Sequence, residues 1–243
     1  MHLWDDKKGY LQIPYKKYAY VKDSSGQNVS LYGEKLKRVT SFDKEDPTLH
    51  ESDVPPMTRF LVDQYTDSDE TSKGHRVMFF DIEVEVTEGF PDVQKAHNPI
   101  TSIALYDCMT KKYFTYCFDP HKRIESYEKG EEVVEFYETE YEMLNKFFQK
   151  YLEIRPTIVS GWNSEFFDIP YLYNRAVRVL GPELANLLSP ISEVIYSEYK
   201  KKHTIAGVSS LDYLQLYRQF TFTQQSSYRL DYIGEVEVGM KKV

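Results

Sequence analysis

The run Phe79-Phe80-Asp81-Ile82-Glu83-Val84 admits few structures. A strand sends every second side chain to one face, so Asp81 and Glu83 point the same way, roughly 7 Å apart along the chain. Two acids converging from a buried strand are costly unless something positive neutralises them. A hard divalent cation does this with oxygen ligands alone. A third acid, Asp168, lies far downstream in Gly161-Trp162-Asn163-Ser164-Glu165-Phe166-Phe167-Asp168-Ile169-Pro170-Tyr171. The pattern points to metal-dependent phosphoryl transfer. The alternative is an exposed acidic strand face, because Glu85 continues the alternation. Against it, Met78-Phe79-Phe80 predicts apolar residues on both faces just before Asp81.

The rest of the chain bounds this reading. Its 243 residues suffice for one large domain or two modest ones. No run approaches the roughly 18 apolar residues that span a bilayer. The start, Met1-His2-Leu3-Trp4, lacks the apolar core of a signal peptide. A cytoplasmic protein with no membrane contact is expected. The two cysteines, Cys108 and Cys117, fall in a predicted hairpin, Ile100 to Tyr106 and Tyr113 to Phe118. Its expected register sets Cys108 against Tyr113, so reduced thiols are expected. The net charge of −8 does not suit a free-standing duplex-DNA binder, although a basic groove can be local. Much of the negative charge comes from Ile124 to Glu142, with eight glutamates against one lysine, read as a solvated loop leading into a helix.

Residues 1 to about 70 alternate short tyrosine-rich strands, such as Lys17 to Val21, with turns such as Asp23-Ser24-Ser25-Gly26. The polar stretch Thr66 to Gly74 reads as a linker, giving an N-terminal β-rich domain over 1–72 and a second domain over 73–243. The second domain opens with a strand, Arg76 to Val86, followed by the hairpin. Thr139-Glu140-Tyr141-Glu142 matches a capping box. Behind it Tyr141, Leu144, Phe147, Phe148, Tyr151 and Leu152 recur at helical spacing, and Pro156 stops the helix. Thr157 to Ser160 reads as a buried strand. Helices are predicted over Pro170 to Leu180, Ser209 to Phe220 and Tyr228 to Val238. The result is an α/β fold, a mixed sheet flanked by helices on a ribonuclease-H-like plan. Asp168, just before a Pro-initiated helix, has an alternative role as a cap. The Trp162–Asn163 turn and the Phe166-Phe167 pair instead suggest a packed loop presenting Asn163 and Asp168.

Together these segments resemble the 3′→5′ proofreading exonuclease of family B DNA polymerases. Phe80-Asp81-Ile82-Glu83 is similar to its first motif, and Asn163 through Asp168-Ile169-Pro170-Tyr171 to its second. Ser209 to Tyr217, Phe220 to Thr223 and Ser227 to Ile233 resemble the T-even bacteriophage branch. The resemblance implies two Mg²⁺ (or Mn²⁺) ions, with Asp81 bridging them. Glu83 would hold the ion that activates water, and Asp168 the ion at the leaving 3′ oxygen. It implies that Phe90 packs against a frayed single-stranded 3′ end and that Asn163 positions the terminal nucleotide. Ordinary turn packing and an Asx turn are the respective alternatives. Ile195 to Gly207 matches a β-hairpin, where Lys200, Lys201 and Lys202 could touch phosphates.

A third motif, a tyrosine followed four residues later by an aspartate, is expected after the Ser227 to Ile233 segment, and the sequence reaches Val243 before it. Val208 and Ser227 stand four positions before Asp212 and Asp231, so neither is assigned as a ligand. The exonuclease domain reads as truncated before that motif, with no polymerase site. A fragment, the first piece of a split polymerase and a remnant all remain open. This chain alone is expected to show little nuclease activity until the downstream polymerase polypeptide, its expected partner, is added. The competing reading is a non-catalytic subunit that grips DNA or docks a polymerase core.

Overall fold

A computed structural model describes residues 1–5, 7–87 and 89–240. Glu88, in the Phe90 segment, and the terminal Lys241-Lys242-Val243 lie outside the described residues. Two compact units divide the chain, Met1–Gly74 and His75–Val243.

The first unit holds β1 (His2–Asp5) and β2 (Gly9–Gln12), paired as an antiparallel hairpin. A four-stranded antiparallel sheet is ordered β4-β5-β3-β6, from β3 (Ala19–Lys22), β4 (Asn28–Val29), β5 (Lys35–Val39) and β6 (Leu49–His50). The predicted turn at Asp23 forms, with Gly26 N–H donating to Asp23 C=O. Helix α1 (Pro56–Tyr65) was not anticipated among the strands. Its signal is weak because only Arg59 and Phe60 are buried. Pro56 in the first turn starts it, where a missing N–H costs nothing. The Arg59 guanidinium lies 4.3 Å over the Tyr18 ring and pairs with Glu51 at 2.9 Å, which makes its burial tolerable.

The second unit is built on a seven-stranded mixed sheet, β10-β11-β9-β8-β7-β12-β15. Its strands are β7 (Val77–Val84), β8 (Ile100–Asp107), β9 (Lys112–Phe118), β10 (Tyr127–Lys129), β11 (Glu132–Tyr137), β12 (Ile158–Gly161) and β15 (Ser209–Asp212). Strands β7, β8 and β9 are antiparallel, and β12 joins β7 in parallel, as the sequence pattern predicted. Helices α2 (Glu140–Ile154), α3 (Asp168–Val179) and the short α4 (Pro182–Ala185) follow. A separate hairpin, β13 (Val194–Ser197) with β14 (Lys202–Ile205), then precedes β15, α5 (Tyr213–Phe220) and α6 (Leu230–Val238).

The capping box forms. Thr139 Oγ1 accepts the Glu142 N–H at 3.2 Å and donates to the Glu142 carboxylate at 2.8 Å. Helix α2 buries Met143, Leu144, Phe147, Phe148, Tyr151 and Ile154, while Tyr141 and Leu152 stay exposed. It ends at Arg155 in the left-handed region, just before Pro156. Met78, Phe80 and Ile82 of β7 join this core with Ile169 and Leu172 of α3.

Four expectations change. Strand β7 is buried on one side only: Phe79, on the face of Asp81 and Glu83, is 38% exposed. The hairpin register opposes Tyr113 to Tyr106 rather than to Cys108, because the four-residue turn falls one position earlier, at 108–111, and takes Cys108 into it; both thiols are free. The acidic stretch after Ile124 is not a loop. Val133, Val134, Phe136 and Tyr137 lie half-buried in β11, which runs parallel to β9, with Glu128, Glu131 and Glu132 exposed near the sheet edge and Glu140 buried on α2, where it accepts the Ile100 N–H. Finally, Ser209–Asp212 is strand rather than helix, since its backbone pairs with the open edge of β12.

Candidate active site

Strand pairing places the acids. Strand β12 follows β7 only as far as Ser160, opposite Phe79. Beyond that point one edge of β7 has no strand neighbour, and Asp168 takes its place. Its Oδ1 accepts the N–H of Ile82 at 3.1 Å. Gly161 makes this departure possible. A Cβ there would stand 2.7 Å from the Phe80 carbonyl oxygen and 2.9 Å from Ser164 Cβ. The chain can therefore turn tightly against β7 and bring the 163–168 loop over its edge.

Asp168 is the first residue of α3 and is 4% exposed. Burial drives its carboxyl up to about 7, and the negative charge of Asp81 pushes the same way. The Ile82 N–H opposes both, and Asp212 adds a smaller repulsion. Asp81 and Asp168 thus share one electrostatic environment. Glu83 lies exposed on the same face of β7 as Asp81, beside an irregularity in the pairing between Glu83 and Val84. Among the described residues, no three His, Cys, Asp or Glu side chains close into a group that could hold a metal ion. The donor chemistry still fits a hard cation at Asp81 and Asp168: both offer only oxygen, and one is destabilised as an anion by the other.

Asn163 takes a left-handed conformation (φ 64°), which asparagine tolerates well. Its C=O accepts the N–H groups of Phe166 and Phe167, each at 3.2 Å. Its N–H donates to Asp212 Oδ1 at 3.0 Å, and Glu165 N–H donates to Asp212 Oδ2 at 3.1 Å. Asp212 also caps α5 through the Leu214 N–H at 2.9 Å. This buried carboxylate therefore holds the loop that presents Asp168. The strand-then-cap signature of Leu211-Asp212-Tyr213 could have marked it in the sequence.

An open cleft of about 600 Å³ adjoins Asp81 and Asn163 and is lined further by Trp162, Arg218, Tyr228 and Arg229. Trp162 Nε1 donates to the Tyr228 carbonyl at 3.0 Å, and Arg218 lies 4.4 Å over the Tyr228 ring. Neither arginine has a carboxylate partner among the described residues. The sequence reading missed both, since isolated arginines carry no spacing signal.

The remaining candidates separate. Phe90 is 81% exposed, and its ring meets Phe167, the residue before Asp168, at 5.2 Å between centroids. The three lysines do not form one cationic tip. Lys200 is exposed, Lys201 pairs with Glu198 at 3.0 Å, and Lys202 pairs with Glu165 at 2.7 Å. The Lys202 pair is largely buried and turns that ammonium toward the loop, whereas the Lys201 pair is exposed and weak.

Comparison with known proteins is consistent with this geometry. The family model described as DNA polymerase family B, exonuclease domain, matches residues 62–233. The DNA-directed DNA polymerase of Escherichia phage RB69 is 36% identical over 197 residues, covering 69% of this chain and 22% of its own length. That of Enterobacteria phage T4 is 32% identical over 191 residues, covering 66% and 21%. DNA polymerase 1 of Saccharolobus solfataricus is 31% identical over 179 residues, covering 67% and 18%. The chain spans only about a fifth of the length of these relatives. Exonuclease domains of the family are in general dependent on divalent metal. With its matched region covering the acid-bearing strand, the Asn163–Asp168 loop and the cleft, this chain belongs to the exonuclease domains of the family B DNA polymerases.

Proposed function

We propose that Asp81, Glu83 and Asp168 form a 3′→5′ exonuclease site acting on single-stranded DNA ends, within the N-terminal portion of a replicative polymerase. The observation that carries this is the buried Asp168 carboxyl on the backbone of β7, raised to about 7 by burial and by Asp81, which itself lines the cleft. Two divalent cations, Mg²⁺ or Mn²⁺, would be held by these three acids. When bound, such ions supply an activated water and neutralise charge in an in-line displacement. The water oxygen bonds to phosphorus, the bond from phosphorus to the 3′ oxygen breaks, and a nucleoside 5′-monophosphate leaves.

The chain's own residues hold the strand. Arg218 and Arg229 offer guanidinium groups to the phosphates, and Tyr228 and the exposed Phe90 ring offer faces on which bases stack without regard to sequence. Asn163 faces the terminal nucleotide. Lys200 and Lys201 are the exposed hairpin lysines that could make a backbone contact. The downstream polymerase polypeptide is the partner this reading requires, and the cytoplasm of an infected cell is the setting suggested by the phage relatives.

Manganese titration followed by electron paramagnetic resonance tests the site, and anisotropy of labelled single-stranded DNA in chelator tests the cleft. The chain alone should bind Mn²⁺ weakly, and Asp81→Asn and Asp168→Asn should each abolish that binding. Arg218→Ala with Arg229→Ala should weaken DNA binding and flatten its salt dependence by about two phosphate contacts. Mn²⁺ binding that survives both aspartate variants would refute the site. Absence of any divalent binding by the unaltered chain would favour the non-catalytic DNA-binding subunit.

A further inference from the structure

The hairpin of β13 and β14 is anchored at its base and tethered nearer its tip. At the base, Ile205 joins the core and His203 is buried, its ring 4.9 Å from that of Tyr173 on α3 and 5.0 Å from that of Tyr196 on β13. Lys202, the first residue of β14, reaches Glu165 at 2.7 Å, with side-chain exposures of only 25% and 15%. Glu165 lies between Asn163 and Asp168, and its backbone N–H is held by Asp212. The loop carrying Asn163 and Asp168 is thus gripped from two sides, by a carboxylate on its backbone and by an ammonium on its side chain.

We propose that Lys202 is a positioning residue: acting through Glu165, it fixes the hairpin to the loop that presents Asp168, so that hairpin and acid site move as one body. The proposal rests on the reading of Asp168 as a metal ligand only for its functional consequence; the mechanical coupling stands without it. A half-buried pair, unlike an exposed one, is held firmly enough for this, because removing one partner leaves a desolvated charge unmatched.

The test uses the full chain with Lys202→Met, Lys202→Arg and the exchanged pair Lys202→Glu with Glu165→Lys. Lys112→Met, which breaks a pair with Glu128 elsewhere on the sheet, is the control. Amide hydrogen exchange is followed in chelator, and Mn²⁺ affinity separately. Lys202→Met should speed exchange about tenfold both in 163–168 and in 194–205, and weaken Mn²⁺ several-fold, with the exchanged pair and Lys202→Arg restoring both. Unchanged exchange in 163–168, or a change equal to that of the control, overturns the coupling. Faster exchange throughout β7 and β8 would mark general unfolding, and failure of Lys202→Arg to rescue would then overturn the proposal as well. If the unaltered chain binds no Mn²⁺, the metal site falls while the exchange result still decides the coupling.

Discussion

Replacing Asp168 by Asn should stabilise the metal-free protein at alkaline pH and leave it nearly unchanged in acid. The reason is the cost of ionising a buried carboxyl. In the folded chain its pKa is raised from 3.8 to about 7. Between those values the folded state binds more protons than the unfolded state, so stability falls as pH rises, and the loss is complete above about 7. A shift of about three units corresponds to roughly 4 kcal/mol at 1.36 kcal/mol per unit, taken as a ceiling because it is coupled to Asp81. Asparagine keeps an acceptor for the Ile82 N–H but buries an amide without a recorded partner, at a cost of about 1 kcal/mol. The expected net gain is therefore about 1 to 3 kcal/mol near pH 8, vanishing or reversing near pH 4. Urea unfolding in chelator would measure it, followed by exchange protection of α2 and α3, since the two units need not unfold together. A variant whose effect does not vary with pH would refute the reasoning, as would one less stable than the parent at every pH.

Three further outcomes follow from the same geometry. Asp81→Asn removes the charge that helps raise Asp168, so the Asp168 carboxyl should titrate at lower pH by carbon-13 NMR; an unmoved titration would show the two acids uncoupled. Gly161→Ala should destabilise the second unit by about 1 to 3 kcal/mol in thermal or urea unfolding, because the new Cβ meets the Phe80 carbonyl and Ser164. Asp212→Ala strips partners from the N–H groups of Asn163, Glu165 and Leu214 and should cost about 2 to 4 kcal/mol, with faster exchange concentrated in those amides.

Local chemistry made much of this protein legible in its sequence. The alternation around Asp81 specified a strand with two acids on one face. The Thr139–Glu142 box and the spacing from Leu144 to Tyr151 specified α2, and Pro156 its end. These signals are readable because each depends on residues within a turn or two of one another. The acidic stretch after Ile124 misled for the opposite reason: charge suggested solvent, whereas pairing with β9, decided far along the chain, made strands.

The tertiary structure alone decided which groups meet. Only the divergence of β12 from β7, set by Gly161 against Phe80, brings Asp168 to the backbone of Ile82 and within the field of Asp81. Only the parallel docking of β15 on β12 turns Asp212 from a helix cap into the clamp of the Asn163–Asp168 loop. Only the fold of the hairpin turns Lys202 from a surface cation into the partner of Glu165. Sequence spacing records which side chains share a strand or a helix. Distances between elements follow from how sheets pair and cores pack, and ionisation depends on those distances and on burial.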